Sequence, residues 1–375
     1  MKAKGLGVYI HIPFCIRKCN YCDFCSFPNS SPKIMERYAD ELCRRINDFS
    51  KRAAAHVVDT VYFGGGTPTL LPIPCFEKLM GTLKDSFTIS PDAEISCECN
   101  PASIDKNGLI ALRQLGINRL SIGLQSAINT ERALLGRVHS FEDFKRTFKD
   151  ARDAGFDNVS ADLMYGIPSQ TKESFKNTLI ALTELSPEHI SAYGLKIEDG
   201  TAFAKTQDSL VLPDEDTEYE MYELCVKLLA DAGYERYEIS NFAKLGFESK
   251  HNLRYWRLDD YIGFGVAAHS FFGGERFGNS RDIEGFLCGN NIVEESYFPS
   301  PKDTLSEYVM LGLRLGKGIS RKDFYTRFGK ELDEVFPTLK NYVENDFLKD
   351  ENGSVAFTTK GFFVSNTILS ELLEL

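Results

Sequence analysis

The run RLSIGLQS at 119–126 decides the fold. Successive side chains of an extended strand point to opposite faces. Leu120, Ile122 and Leu124 therefore share one face, and Ser121, Gly123 and Gln125 share the other. The first face is apolar; the second is small and polar. The same division recurs in NVSADLMYG at 158–166, where Val159, Ala161 and Leu163 oppose Asn158, Ser160 and Asp162. It recurs in EISCECN at 94–100, with Ser96, Glu98 and Asn100 on one side, and in VYIHI at 8–12, with Tyr9 and His11 against Val8, Ile10 and Ile12. Strands covered by helices on both faces read apolar throughout. These do not, so the pattern predicts a curved sheet with helices on its convex face and a polar cavity on its concave face. An open sheet with a few buried, hydrogen-bonded polar residues is the competing arrangement.

Outward from this run, strands are expected at 7–12, 58–63, 93–99, 118–125, 157–164 and 189–196. Helices are expected at 33–53, 74–87, 105–115, 140–154, 171–185 and about 215–232. Regular alternation of strand and helix gives a parallel sheet with helices outside. Six strands fall short of the usual eight-stranded closure, so residues 1–243 are read as an α/β fold, an incomplete (β/α)6 barrel. Residues 244–299 form a connecting segment rich in Gly and aromatics with no clean period. Residues 300–375 read as three helices and a small hairpin, a mainly helical, winged-helix-like domain. That domain is not basic, which favours packing or protein contact over DNA.

The chain has 375 residues, 43% apolar and 26% charged, with a net charge of −11 and a pI near 5.2. Such a balance argues against a nucleic-acid partner held by a broad basic face. No apolar run reaches the length of a membrane-spanning helix, and MKAKGLGVYIHIPFC is interrupted by His11 and Pro13 where a signal peptide would stay apolar. A cytoplasmic protein without an integral membrane segment is expected. Its ten cysteines then read as ligands or core residues rather than disulfides.

Four of those cysteines fall in IHIPFCIRKCNYCDFCSF at 10–27: Cys15, Cys19, Cys22 and Cys25. The chain leaves the first strand at Pro13, so this loop sits at the C-terminal end of a strand, where barrel active sites gather. Thiolates on a short loop can share one iron–sulfur cuboid. Three ligands would leave one iron open to a small molecule. A structural zinc site with Cys25 as fourth ligand is the alternative, since paired C-x₂-C cysteines are common at zinc. Gly64-Gly65-Gly66-Thr67-Pro68 follows the second strand, and glycines let backbone groups approach a ligand. Glu98, Gln125 and Asp162 end the third, fourth and fifth strands on the polar face. Arg137 in LLGRVH is a candidate partner for a carboxylate.

C-x₃-C-x-Y-C after the first strand resembles the signature of the radical S-adenosylmethionine (SAM) superfamily. The resemblance implies a [4Fe–4S] cluster on Cys15, Cys19 and Cys22, with SAM chelating the fourth iron. A one-electron donor would then drive cleavage of SAM to a 5′-deoxyadenosyl radical. By similarity to the coproporphyrinogen-dehydrogenase-like branch, Tyr9, Tyr21, Gly65, Gly66, Thr67, Glu98, Gln125, Arg137 and Asp162 match its SAM contacts. DLMYGIPSQ at 162–170 and GFGVAAHS at 263–270 resemble that branch as well.

Two members of the branch compete. Oxygen-independent coproporphyrinogen III dehydrogenase decarboxylates propionates in porphyrin biosynthesis. The HemW heme-chaperone family binds heme and transfers it to apo-hemoproteins. The dehydrogenase carries a further cysteine two residues after the third, where this chain has Phe24; Cys25 fits neither pattern. The chain also starts only a few residues before its first strand, where the dehydrogenase has an extension. His251-Asn252-Leu253-Arg254-Tyr255-Trp256 matches the HNxxYW motif associated with heme in HemW. Histidine is a common axial heme ligand, and Tyr255 and Trp256 can pack on a porphyrin. A structural aromatic–histidine cluster closing the barrel is the competing reading, and His269 is a second candidate ligand. The HemW family is the favoured expectation.

Overall fold

A computed structural model describes residues 4–373. Its six central strands are β1 (Lys4–Ile12), β2 (His56–Gly65), β3 (Thr88–Cys99), β4 (Arg119–Gln125), β5 (Val159–Tyr165) and β6 (His189–Gly194). They pair in parallel and in sequence order. β1 and β6 do not pair with each other. β6 continues to an antiparallel strand, Asn241–Ala243, and β1 pairs in parallel with Tyr261–Phe264. The barrel is therefore incomplete, as the alternation in the sequence implied.

Helices α1 (Pro32–Ser50), α2 (Ile73–Ser86), α3 (Lys106–Leu115), α4 (Phe141–Asp153) and α5 (Lys172–Thr183) cover the convex face. The apolar strand positions pack beneath them: Val8, Ile10, Leu120, Ile122, Leu124, Val159, Ala161 and Leu163 are all fully buried in one core with Leu42, Leu79, Leu109, Phe144 and Phe175. Full burial of one such aliphatic side chain contributes about 1.5–3 kcal/mol. Helix starts are set by side chains that satisfy free backbone N–H groups: Asp105 accepts from Gly108, Ser140 forms a capping box with Asp143, and Thr171 forms one with Ser174. α6 (Glu215–Asp231) starts on Asp214 and stops before Gly233, whose φ of +86° is left-handed.

The segment with no readable period is ordered. It holds helix α7 (Lys250–Arg257) and strands Tyr261–Phe264, His269–Phe272, Glu275–Asn279 and Val293–Tyr297, the last three antiparallel and extending the sheet beyond β1. Beyond residue 300, short helices and a three-stranded sheet enclose a second apolar cluster around Val309, Leu313, Phe324, Leu348, Phe357 and Leu369. Among the described residues no helix is long and apolar enough to cross a membrane.

Candidate functional site

The concave face opens onto a cavity of about 310 Å³ at the C-terminal ends of the strands, and Cys15, Cys19 and Cys22 line it. Their loop is tied down on three sides. Asn20 donates from its backbone to Leu135 O (3.0 Å) and from Nδ2 to Leu134 O (2.8 Å), and its own carbonyl accepts from Phe203 N (2.9 Å). Tyr21 packs on Leu135, Met164, Ile167 and Phe203. His11 Nε2 donates to the Cys25 carbonyl at 2.8 Å, so its Nδ1 accepts from Tyr9 Oη at 2.9 Å. Burial lowers the His11 pKa and keeps the ring neutral for that role.

The three thiols are free and half-buried, whereas Cys25 is buried. Burial raises the Cys15 thiol and pushes Cys22 up to about 11, so iron must displace protons as it binds. Among the described residues no three His, Cys, Asp or Glu side chains converge tightly enough to hold a single ion. A cuboid offers each thiolate its own iron.

The glycine run is stitched to this loop. Gly66 N donates to Ile12 O (2.9 Å) and Thr67 N to Phe14 O (2.7 Å). A Cβ on Gly66 would lie 2.6 Å from Phe14 O and 3.0 Å from Cys15 Sγ, and Gly65, at φ +113°, has its missing Cβ 2.5 Å from the His11 ring. Thr67 Oγ1 stands 3.8 Å from Cys15 Sγ and accepts from Asn100 Nδ2 at 2.7 Å.

Polar groups fill the rest of the wall. Glu98 accepts from Tyr62 Oη (2.9 Å) and Gly65 N (3.0 Å). Burial, then the charge of Asp162, raises its pKa to about 7. Asp162 accepts from Ser121 Oγ at 3.0 Å, and burial raises its pKa as well. Gln125 ends β4 at φ +68° and lines the same cavity. Arg137 donates to Asn100 Oδ1 (2.8 Å), to Gly123 O and to His139 Nε2 (3.1 Å), and its Nη1 lies 3.8 Å from Cys19 Sγ. Burial, then the Arg137 charge, pushes His139 down to about 3, which keeps it an acceptor. The cavity thus brings together Tyr21, Gly65, Gly66, Glu98, Gln125, Arg137 and Asp162. Tyr9 does not line it; its ring stacks on Tyr62 at 6.2 Å.

The profile of the radical SAM superfamily matches residues 9–182, and that of the HemN C-terminal domain matches residues 300–364. The heme chaperone HemW of Bacillus subtilis is 35% identical over 98% of this chain and 99% of its own length; that of Escherichia coli is 34% identical over 100% and 99%. This chain belongs to the heme chaperone HemW family of radical SAM proteins. Among solved structures, the coproporphyrinogen III oxidase HemN from Escherichia coli, described as a radical SAM enzyme, superposes with a TM-score of 0.85. It is 25% identical, over 98% of this chain and 89% of that one.

In this HemW-family chain the HNxxYW run is helix α7, and it closes the end of the barrel opposite the cysteines. Glu94, low on β3, accepts from Lys250 N and His251 N, each at 3.1 Å, so a carboxylate caps the positive end of the helix. Arg254 is ion-paired with Asp59. His251 is fully buried. Its Nδ1 bonds Thr60 Oγ1 (2.9 Å), its Nε2 bonds Tyr255 Oη (2.8 Å), and its ring stacks on Tyr62 at 5.2 Å. Burial, then the Arg254 charge, pushes its pKa down to about 3. Asn252 alone of the motif lines the cavity, and Trp256 is half-buried. His251 is thus held in a cluster with Thr60, Tyr62 and Tyr255. His269, by contrast, is exposed.

Wall residues absent from the sequence-based site include Tyr62, Arg119, Asn100 and Tyr193. Extending the β4 alternation back one step puts Arg119 on the polar face, and Asn100 continues the face of Glu98. The same alternation puts Tyr62 with Thr60, opposite Val61 and Phe63, and Tyr193 with Ser191, opposite Ile190 and Ala192.

Proposed function

We propose that this chain is a cytoplasmic heme chaperone, which binds heme and passes it to apo-hemoproteins with the aid of a [4Fe–4S] cluster and SAM. The observation that carries this reading is the end-to-end match to HemW relatives at 34–35% identity, against 25% to the structurally similar oxidase. Phe24, where the dehydrogenase has a further cysteine, agrees with it. All ten cysteines are free, which suits a reducing compartment.

The residues fit both prosthetic groups. Cys15, Cys19 and Cys22 would hold the cluster. Gly65 and Gly66 lie flush against the loop because a Cβ would collide there, so the methionyl end of SAM could approach their backbone closely, while their N–H groups are held by Glu98 and Ile12 O. Glu98 and Asp162 would hold its hydroxyl or ammonium groups, Gln125 its adenine edge, and Arg137 its carboxylate. When bound, the cluster supplies one electron to SAM. The chain's own residues orient that ligand, exclude water from it and set the charge around it.

Glu98 makes this testable by pH. SAM is a sulfonium cation, and an ionised Glu98 attracts it. Because the carboxyl titrates near 7, SAM affinity should rise about tenfold between about pH 6 and about pH 8. Glu98→Gln should bind more weakly and lose that slope. An unchanged slope by calorimetry would remove Glu98 from the SAM site.

The function itself is tested by loading the anaerobically purified chain with heme and adding an apo-hemoprotein such as apomyoglobin. Transfer faster than heme loss to buffer, with no turnover of coproporphyrinogen III in the presence of SAM and reductant, is expected. Turnover without transfer would favour the dehydrogenase instead.

A further inference from the structure

We infer that Arg119 and Asn252 form a second carboxylate subsite at the floor of the cavity, separate from the one that Arg137 offers SAM. That the carboxylate is a propionate of heme rests on the chaperone reading above; the subsite itself does not.

Arg119 opens β4 on the polar face it shares with Ser121, Gly123 and Gln125. It lines the cavity and is only 1% exposed. A buried charge is costly unless it is paired or hydrogen-bonded. Among the described residues its Nε has no partner. Two carboxylates act on it through their charge, Glu94 and Asp162, but both bond elsewhere. Glu94 accepts from Lys250 N and His251 N, and Asp162 accepts from Ser121 Oγ. Ser96, beside Arg119 in register on β3, is fully buried, and its Oγ is likewise without a partner. This layer of the barrel therefore holds donors that the chain itself does not satisfy.

SAM does not supply the missing acceptor. It has one carboxylate, and Arg137, beside Cys19, is placed to take it. Arg137 reaches the Gly123 carbonyl. That carbonyl lies four residues along β4 from Arg119, or about 13 Å of strand at roughly 3.3 Å per residue. With SAM bound, its sulfonium and ammonium offset Glu98 and Asp162, which leaves Arg119 as the unmatched charge of the cavity. A planar carboxylate matches the fork of a guanidinium. Asn252 adds a second donor from α7. It lines the same cavity, its backbone N–H is held by Ser249 Oγ at 3.3 Å, and its side-chain amide has no partner among the described residues.

The test titrates the cluster-loaded full chain, with SAM present, against three probes: hemin, hemin dimethyl ester, whose propionates carry no charge, and sodium propionate. The wild-type chain should bind hemin about tenfold or more tighter than the ester. Arg119→Met should bind hemin only as tightly as the ester. Arg119→Lys, which keeps the charge but loses the fork, should fall between. SAM affinity should not fall in either variant. Nor should the denaturation midpoint of Arg119→Met, because the guanidinium it removes has no partner. If sodium propionate alone depends on Arg119, the subsite stands and takes a free carboxylate rather than that of heme. If all three probes bind Arg119→Met as they bind wild type, or if SAM affinity falls with theirs, the inference is overturned. If Arg119→Met does not fold, the comparison is made in Arg119→Lys, where an unchanged preference for hemin over its ester overturns it. A wild-type chain that binds no hemin removes the chaperone reading, and sodium propionate then decides the subsite by itself.

Discussion

Replacing Cys19 with serine should leave a folded, nearly colourless protein. Serine keeps the shape of the residue and removes the thiolate on which an iron–sulfur cluster depends. The loop around it is held independently, by Asn20 on Leu134, Leu135 and Phe203 and by Tyr21 in its apolar seat. The chain should therefore fold normally while its iron and sulfide content falls close to zero. Cys25→Ser is the matched control. Cys25 is tied to the scaffold through its backbone carbonyl, which His11 reaches, so the visible band should persist. Equal loss of iron in both variants would mean a cluster held by four cysteines, with no iron left open for SAM.

Gly66→Ala should have the second largest effect, and for a different reason. The added methyl would lie 2.6 Å from Phe14 O and 2.9 Å from Phe14 N, both backbone atoms that cannot swing aside. Overpacking of this kind costs about 1–3 kcal/mol. The strain falls on the segment that carries Cys15, so cluster content should drop together with the denaturation midpoint. Gly81, in the middle of α2, has nothing within 4 Å of its missing Cβ. Gly81→Ala should raise stability by up to about 1 kcal/mol, from helix propensity alone, and leave the cluster untouched. A Gly66→Ala protein with full iron content and wild-type stability would show that the glycine run and the cluster loop are not in contact.

The central fold was readable because its two faces differ in polarity. Leu120, Ile122 and Leu124 meet helices, whereas Ser121, Gly123 and Gln125 meet the cavity, and period two separates them without ambiguity. The cysteine loop was readable because its spacing is chemical rather than structural. The stretch 245–295 was opaque for physical reasons. Its strands span only four or five residues. Val293–Tyr297 is exposed along its whole length, so it shows no alternation. Phe264 and Phe272 are buried while Phe271 and Phe277 are half-buried, so aromatics occupy both faces. The environment of His251 was equally hidden. Its partners, Thr60 and Glu94, come from strands more than 150 positions away, and no local pattern announces such a contact. The sequence motif drew attention to this helix; the structure separates Asn252, on the cavity wall, from His251, locked behind it.

The electron paramagnetic resonance spectrum of the reduced, anaerobically purified protein, taken before and after adding SAM, addresses the site most directly. A cluster held by Cys15, Cys19 and Cys22 with one iron free should give a signal whose g-values move when SAM binds, and Arg137→Ala should weaken that response. A colourless protein, or a cluster signal indifferent to saturating SAM, would contradict the assignment.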